Sequence, residues 1–314
     1  MIHLLLDLLI YPLLFVLVAL VAGNNLSACS GAIISGGVVD RKTGISIAIF
    51  GYAAGFLLQG GLLKAGLTAL MPVQSEFLIV VALSIALVIF LISHLLKVPQ
   101  SLSITFAMVL VGIGFGYGKP PNLDFVSSMV GFWIFSTVLA GIAVIVAMRS
   151  LRNVLSKTNI WNAVGGIKLL LIVFSFFTAF VLGANTIGFL FASISGITDA
   201  LYATIITLAA ILLGSIFLSR GELKMIGSGI LPLRYLNALV SQATSVIIVE
   251  IATLFSIPAS NTQTFTASLY GAGISYRTRL IRRMPMLMIT LAWVSTALAS
   301  LLLGFFVTLA IYHL

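Results

Sequence analysis

The chain has 314 residues, of which 61% are hydrophobic and only 7% are charged, whereas about a quarter of the residues of a soluble domain are charged. The mean hydropathy of +1.24 therefore indicates an integral membrane protein. A formal net charge of +9 does not indicate nucleic-acid binding here, because the basic residues lie in short gaps between apolar runs. The single cysteine excludes an intramolecular disulfide.

Ten apolar stretches of spanning or near-spanning length follow one another along the chain, five in each half. A spanning helix needs about 20 apolar residues, so the short stretches 101–117 and 261–276 predict half-helices or hairpin arms. The Gly- and Ser-rich pieces 23–38 and 183–198 predict re-entrant or broken helices. The number of full spans therefore stays open. The ten stretches are approximately 3–22, 45–63, 77–97, 101–117, 125–148, 166–182, 200–219, 235–256, 261–276 and 284–312.

Two pairs of segments indicate an internal repeat. Val98–Tyr117 and Ile257–Tyr276, offset by 159 positions, share eight identities in twenty, including a Pro-x-Ser motif. Gly23–Gly36 and Gly183–Gly196 correspond at an offset of 160, which aligns an asparagine in each half. The sequence therefore predicts a first repeat over 1–148, a linker over 149–162 and a second repeat over 163–314.

The charge distribution predicts how the two repeats are oriented. With the N-terminus outside and five crossings in each half, 14 of the 16 basic residues face the cytoplasm, as the positive-inside rule requires. Five is an odd number, so the second repeat enters the membrane from the opposite side. The prediction is an all-α polytopic membrane protein of two inverted-topology repeats, each with about five spans and with re-entrant or broken helices. It is multi-pass in the plasma membrane, has both termini outside, and has a cytoplasmic linker at 149–162.

Helices interrupted within the membrane predict a binding site for an anion. A helix that begins at membrane depth presents free N–H groups and a partial positive dipole, and inverted repeats with broken helices are typical of secondary transporters. Pro99 and Pro258 are predicted to stop the incoming helices. The structural alternative is that the hydroxyls near these prolines are N-caps or bond to the preceding turn. The predicted substrate-binding residues are Ser101, Ser103, Thr105, Ser260, Asn261, Thr262 and Thr264.

The same motifs resemble those of a known family. Gly183-Ala184-Asn185 looks like the Gly-Ala-Asn-Asp signature that opens each half of the inorganic phosphate transporters (the PiT family). Ile257–Gln263 resembles the family's Pro-Val-Ser-Thr-Thr-His segment, and Val98–Ile104 is a weaker copy. Because the family also includes sulfate permeases, the resemblance implies a symporter of phosphate first, with sulfate as the alternative.

The departures from the family motifs bear on the coupling ion. The family's Asp, which by resemblance belongs to the sodium and phosphate site, is replaced by Leu26 and Thr186. The family's His is replaced by Ile104 and Gln263. The chain is thus identified as a divergent member of the family, in which sodium coupling is in question.

Four further residues are candidates for the coupling ion or the substrate. Asn25 and Asn185 offer amide oxygens to a sodium ion, and Glu250 lies alone in an apolar run, where it could carry a coupling proton. Gln242 precedes it on the same predicted span, with an inter-helix hydrogen bond as its structural alternative. Glu250 could instead reach the membrane surface. Proton coupling through Glu250 is the favoured hypothesis.

Other function classes fit less well. There is no His-Glu-x-x-His motif, and the seven acidic residues are isolated from one another, so an intramembrane enzyme is disfavoured. An anion channel is the alternative from another class, because channels and transporters share broken helices. No cofactor is expected, and sodium enters only as a coupling ion. The expected partners are phosphate or sulfate, H⁺ or Na⁺ and the lipid bilayer, without nucleic acid, and a homo-oligomer is left open.

Overall fold

The computed structural model describes residues 2–73, 75–96, 100–155, 160–218, 235–275 and 283–313. Within these ranges the secondary structure is helical, without a strand, which confirms the predicted all-α class. The α-helices are α1 Ile2–Asn24, α2 Leu26–Ser35, α3 Arg41–Gln59, α4 Lys64–Leu70, α5 Glu76–Leu95, α6 Leu102–Gly116, α7 Leu123–Leu155, α8 Ile160–Leu182, α9 Gly188–Ile194, α10 Ala200–Phe217, α11 Tyr235–Leu254, α12 Asn261–Ser275 and α13 Arg283–His313.

The helix lengths fit a polytopic membrane protein. In the described part of the chain, eight helical stretches are long and apolar enough to cross a membrane. Helices α6 and α12 have 15 residues each, which is short of the roughly 20 needed for a full span. The two marginal stretches of the sequence are therefore helices of less than spanning length, as predicted.

The two Gly- and Ser-rich pieces are broken helices that continue the preceding helix. Asn25 alone separates α1 from α2. In the second half, α8 passes through a π-helical turn, Gly183–Ile187, directly into α9. Such π-turns occur mostly as single insertions in α-helices and often at functional sites. Both breaks thus fall at the asparagines that the repeat aligns.

The end of α11 differs from the prediction that Pro258 stops the incoming helix. The helix ends at Leu254, four residues earlier, and Ser256 has a φ of 58° in the left-handed region. Ile257 N donates to Ala252 O (2.8 Å) and Ser256 N donates to Thr253 O (3.0 Å), the pattern of a Schellman motif. The left-handed residue, rather than the proline, therefore ends the helix. Pro99 lies outside the described residues.

Helix packing follows the repeat. Helix α6 packs against α13 while α12 packs against α7, and α1 packs against α10 while α3 packs against α8. The repeat makes α12 the counterpart of α6 and α13 the counterpart of α7, so the α6–α13 and α12–α7 contacts are equivalent. The α1–α10 and α8–α3 contacts are equivalent in the same way. Helix α7 continues to Leu155, so residues 149–155 of the predicted linker are helical. The inverted orientation and the repeat boundaries stay predictions.

Candidate functional site

Helices α6 and α12 begin at one cavity, which we call the interhelix cavity. It contains about 270 Å³ of space outside the atoms, part of it open to the surroundings. The lining residues are Asn24, Asn25, Phe90, Gln100, Ser101, Leu102, Ser103, Leu182, Thr186, Asn261 and Thr262.

Five of the predicted site residues line this cavity although they are distant in sequence. Ser101 and Ser103 come from the start of α6, Asn261 and Thr262 from the start of α12, and Asn25 from the break after α1. Ser101 precedes α6 without bonding to its backbone, which leaves its hydroxyl free. The structure thus brings the first residues of α6 and α12 and one of the two aligned asparagines to one place.

Three other predicted residues do not line the cavity and make contacts beside it. Ser260 Oγ accepts a hydrogen bond from Gln263 N (3.2 Å), which is the N-cap role named as the structural alternative. Thr264 Oγ1 lies 2.5 Å from Ser245 Oγ. Thr105 Oγ1 accepts from Gln100 Nε2 (2.7 Å). These residues support the first turns of α6 and α12.

The cavity offers hydrogen-bond donors without fixed charge. No Asp, Glu, Lys, Arg or His is among its described lining residues. The first backbone hydrogen bonds of α6 and α12 run from Thr105 N to Ser101 O and from Thr264 N to Ser260 O. The N–H groups before these have no acceptor within their own helix, and they carry the positive end of the helix dipole. Two helix N-termini with first-turn hydroxyl and amide groups favour a bound oxyanion.

Two buried amides at the cavity each have one polar atom without a partner among the described residues. Gln100 is 6% exposed; its Nε2 donates to Thr105, and its Oε1 is unpartnered. Asn261 is 2% exposed; its Oδ1 accepts from Ser245 Oγ (2.8 Å), and its Nδ2 is unpartnered. An unpaired buried polar group is costly, so the two atoms are candidates for contact with a ligand.

Sequence reasoning missed part of the lining. Ser103 Oγ lies 2.9 Å from Thr186 Oγ1, which joins α6 to the π-turn. Thr186 was singled out only as a replacement for the family's Asp. Asn24 and Gln100 adjoin predicted residues and could have been found as their polar neighbours. Nothing in the sequence marks Phe90 and Leu182, because apolar residues are everywhere in this chain.

Asn185 does not line the cavity, and its side chain bonds to the segment 257–259 that precedes α12. Its Nδ2 donates to Thr253 Oγ1 and to Ile257 O, both at 3.0 Å, and its Oδ1 accepts from Ala259 N at 2.8 Å. Asn185 is fully buried. Its amide is therefore engaged in fixing the backbone, whereas the Asn25 amide bonds, among the described residues, only to Val21 O of the preceding α1 (3.0 Å).

Glu250 and Gln242 lie on α11 away from the cavity lining. Glu250 Oε1 accepts from Gln59 Nε2 at 2.8 Å, while Glu250 Oε2 and Gln59 Oε1 are buried and have no partner in the described part of the chain. Gln242 Nε2 donates to Ala28 O (2.9 Å) and Cys29 O (2.8 Å). Gln242 thus makes the inter-helix hydrogen bonds that were named as its structural alternative.

Comparisons with known proteins agree with this fold and these motifs. The family model described as "Phosphate transporter family" matches residues 157–304. A protein from Bacillus subtilis (strain 168) named sulfate permease CysP is 25% identical over 312 residues, covering 94% of this chain and 86% of its own. A solved structure titled "The sodium-dependent phosphate transporter" has the same fold, with a TM-score of 0.83 and 14% identity over 98% of this chain and 99% of that one.

The match to the family falls on the half that carries the better-preserved motifs, 183–185 and 257–263. The two relatives extend the similarity over nearly the whole chain. Both the family and the fold are those of transporters. The predicted resemblance is therefore confirmed: residues 157–304 are similar to the phosphate transporter family, and the chain shares the fold of a solved phosphate transporter.

Proposed function

We propose that the chain is a secondary active transporter of a small tetrahedral oxyanion, with phosphate as the first candidate, in the plasma membrane with both termini outside. One observation carries the proposal: the N-termini of α6 and α12, with Ser101, Ser103, Asn261 and Thr262, open to a single uncharged cavity. Hydrogen bonds from neutral donors to an anion are stronger than those between neutral groups. They offset desolvation of the anion without a fixed positive charge that would oppose its release.

The coupling ion we propose is a proton carried by Glu250. When Glu250 is ionised, two buried oxygens of the Gln59–Glu250 pair lack donors, and unpaired buried oxygens are unfavourable. Protonation of Glu250 Oε2 supplies an O–H group that can donate a hydrogen bond to Gln59 Oε1. We propose that this bond forms beside the existing one from Gln59 Nε2 to Glu250 Oε1. A sodium site at the aligned asparagines is less supported, because Asn185 Oδ1 already accepts from Ala259 N.

Sulfate is the second candidate substrate. It is favoured by the similarity to a protein named sulfate permease along 94% of the chain. It is also favoured by the replacement of the family's Asp by Leu26 and Thr186, because a carboxylate at the site would repel a dianion that carries no proton. An anion channel is the alternative in another class.

The proposal is tested in proteoliposomes that contain the purified chain, with labelled phosphate or sulfate and an imposed proton or sodium gradient. We expect the anion to accumulate above its equilibrium level when the proton gradient points inward, and Glu250→Gln to abolish this accumulation. Thr68→Val serves as a control, because its hydroxyl bonds only within its own helix. Flux of either anion that only runs downhill would indicate a channel. Sodium-driven uptake that is indifferent to pH, or a fully active Glu250→Gln protein, would defeat proton coupling.

A further inference from the structure

We infer that Gln100 and Asn261 form an acceptor–donor pair that selects tetrahedral oxyanions carrying a proton. In this arrangement Asn261 Nδ2 donates to an unprotonated oxygen of the anion, and Gln100 Oε1 accepts the hydrogen of its hydroxyl group. The inference rests on the proposed function, because it concerns the anion in the interhelix cavity.

The pair is defined by what its atoms already bind. Gln100 Nε2 donates to Thr105 Oγ1, and Asn261 Oδ1 accepts from Ser245 Oγ. The opposite polar atom of each amide, Gln100 Oε1 and Asn261 Nδ2, is not used by these bonds. Both leftover atoms are buried and lack a partner among the described residues. Both residues line the same cavity. Two residues that line the cavity therefore carry one unsatisfied donor and one unsatisfied acceptor, on side chains that are more than nine-tenths buried.

A ligand must match both atoms to satisfy the pair. Near neutral pH, phosphate and arsenate keep at least one O–H group, whereas sulfate and selenate have only acceptor oxygens. Sulfate would satisfy Asn261 Nδ2 but would place an oxygen lone pair against Gln100 Oε1. Sites built to bind a substrate hydroxyl reject analogues that lack it far more strongly than apolar pockets reject a size change. The pair therefore predicts preference for phosphate and arsenate over sulfate and selenate.

Three substitutions separate the two roles, and a fourth serves as the control. Gln100→Met keeps the size of the side chain and removes the acceptor, so we expect the phosphate-to-sulfate ratio of apparent affinities to fall by about tenfold. Gln100→Glu keeps an acceptor and adds charge, so it should retain phosphate uptake and lose sulfate uptake. Asn261→Leu should weaken both anions alike. Asn237→Leu is the matched control, because Asn237 is a buried amide of α11 with an unpartnered oxygen that does not line the cavity.

The wild-type protein provides a test that does not depend on the folding of a variant. Unlabelled arsenate should compete with labelled phosphate at much lower concentration than selenate does. Equal competition by selenate and arsenate would overturn the inference, as would an unchanged phosphate-to-sulfate ratio in Gln100→Met. A sodium requirement that disappears in Gln100→Met while the ratio stays constant would assign the Gln100 oxygen to a cation and also overturn it. Failure of the wild type to transport any of the four anions would instead reject the proposed function.

Discussion

The two breaks that meet at the interhelix cavity use the same residue types in different ways. In the second half, Asn185 makes three hydrogen bonds to the segment around 253–259, and Trp133 Nε1 donates to Pro258 O at 2.7 Å. In the first half, the side chain of Asn25 bonds, among the described residues, only to Val21 O of α1, and Asn25 lines the cavity. The segment before α12 is thus held by side chains from α7 and from the π-turn, while the asparagine of the first half is available to a ligand.

The partners of each asparagine explain the difference. Asn185 reaches Thr253 and the backbone at Ala259, and the repeat places His94 and Gln100 at the equivalent positions of the first half. Gln100 lines the cavity there and bonds to Thr105 instead. Equivalent sequence positions in a duplicated protein therefore need not make equivalent contacts.

The largest expected effect tests the asparagines directly. Asn185→Ala would leave Ala259 N and Ile257 O buried without their partner, so we expect the free energy of unfolding in detergent to fall by about 3 kcal/mol. Asn25→Ala removes one bond within a helix and should cost less than about 1 kcal/mol while impairing anion uptake. Thermal unfolding measures the first effect and proteoliposome uptake the second. Equal loss of stability in the two variants would contradict the assigned roles.

Substitution of the two Pro-x-Ser serines, Ser101 and Ser260, tests whether the two halves differ in the same way at the starts of α6 and α12. Ser101 has a free hydroxyl at the cavity, so Ser101→Ala should weaken anion binding by about 1.5–3 kcal/mol if the bond is charge-assisted. Ser260 caps Gln263 N instead, so Ser260→Ala should cost about 1 kcal/mol of stability and leave anion affinity nearly unchanged. Competition by unlabelled phosphate gives the affinities. A larger affinity loss in Ser260→Ala would reverse the assignment.

The sequence was sufficient for the elements with strong local signals. Apolar runs and the repeat predicted the helical class and the two short helices, and five of the predicted site residues line one cavity. It was insufficient where a long-range partner decides the outcome. Whether Asn185 binds a ligand or the backbone at 257–259 depends on how α8 packs against α11, and the end of α11 depends on the left-handed Ser256 rather than on Pro258.

Two of the three tryptophans, Trp133 and Trp293, offer a smaller test of the same asymmetry. Trp133→Phe removes the bond to Pro258 O and should lower the free energy of unfolding by about 1 kcal/mol. Trp293 lies on α13, the counterpart of α7, and its Nε1 is buried without a partner among the described residues. Trp293→Phe should therefore have little effect or a slight stabilising one. Chemical denaturation in detergent micelles measures both, and a larger cost for Trp293→Phe would argue against the difference between the breaks.

The smallest expected effect concerns the contact that ties α6 to the π-turn. Ser103 Oγ and Thr186 Oγ1 lie 2.9 Å apart, whereas the repeat-equivalent positions carry Thr262 and the apolar Leu26. A double-mutant cycle with Ser103→Ala and Thr186→Val should give a coupling free energy of about 0.6 kcal/mol, the usual scale for inter-helix hydrogen bonds in membranes. The cycle Thr262→Val with Leu26→Ala should give a value near zero. If phosphate breaks the hydroxyl pair by accepting from both groups, the Ser103–Thr186 coupling should shrink at saturating phosphate. A coupling unaffected by phosphate would make this contact purely structural.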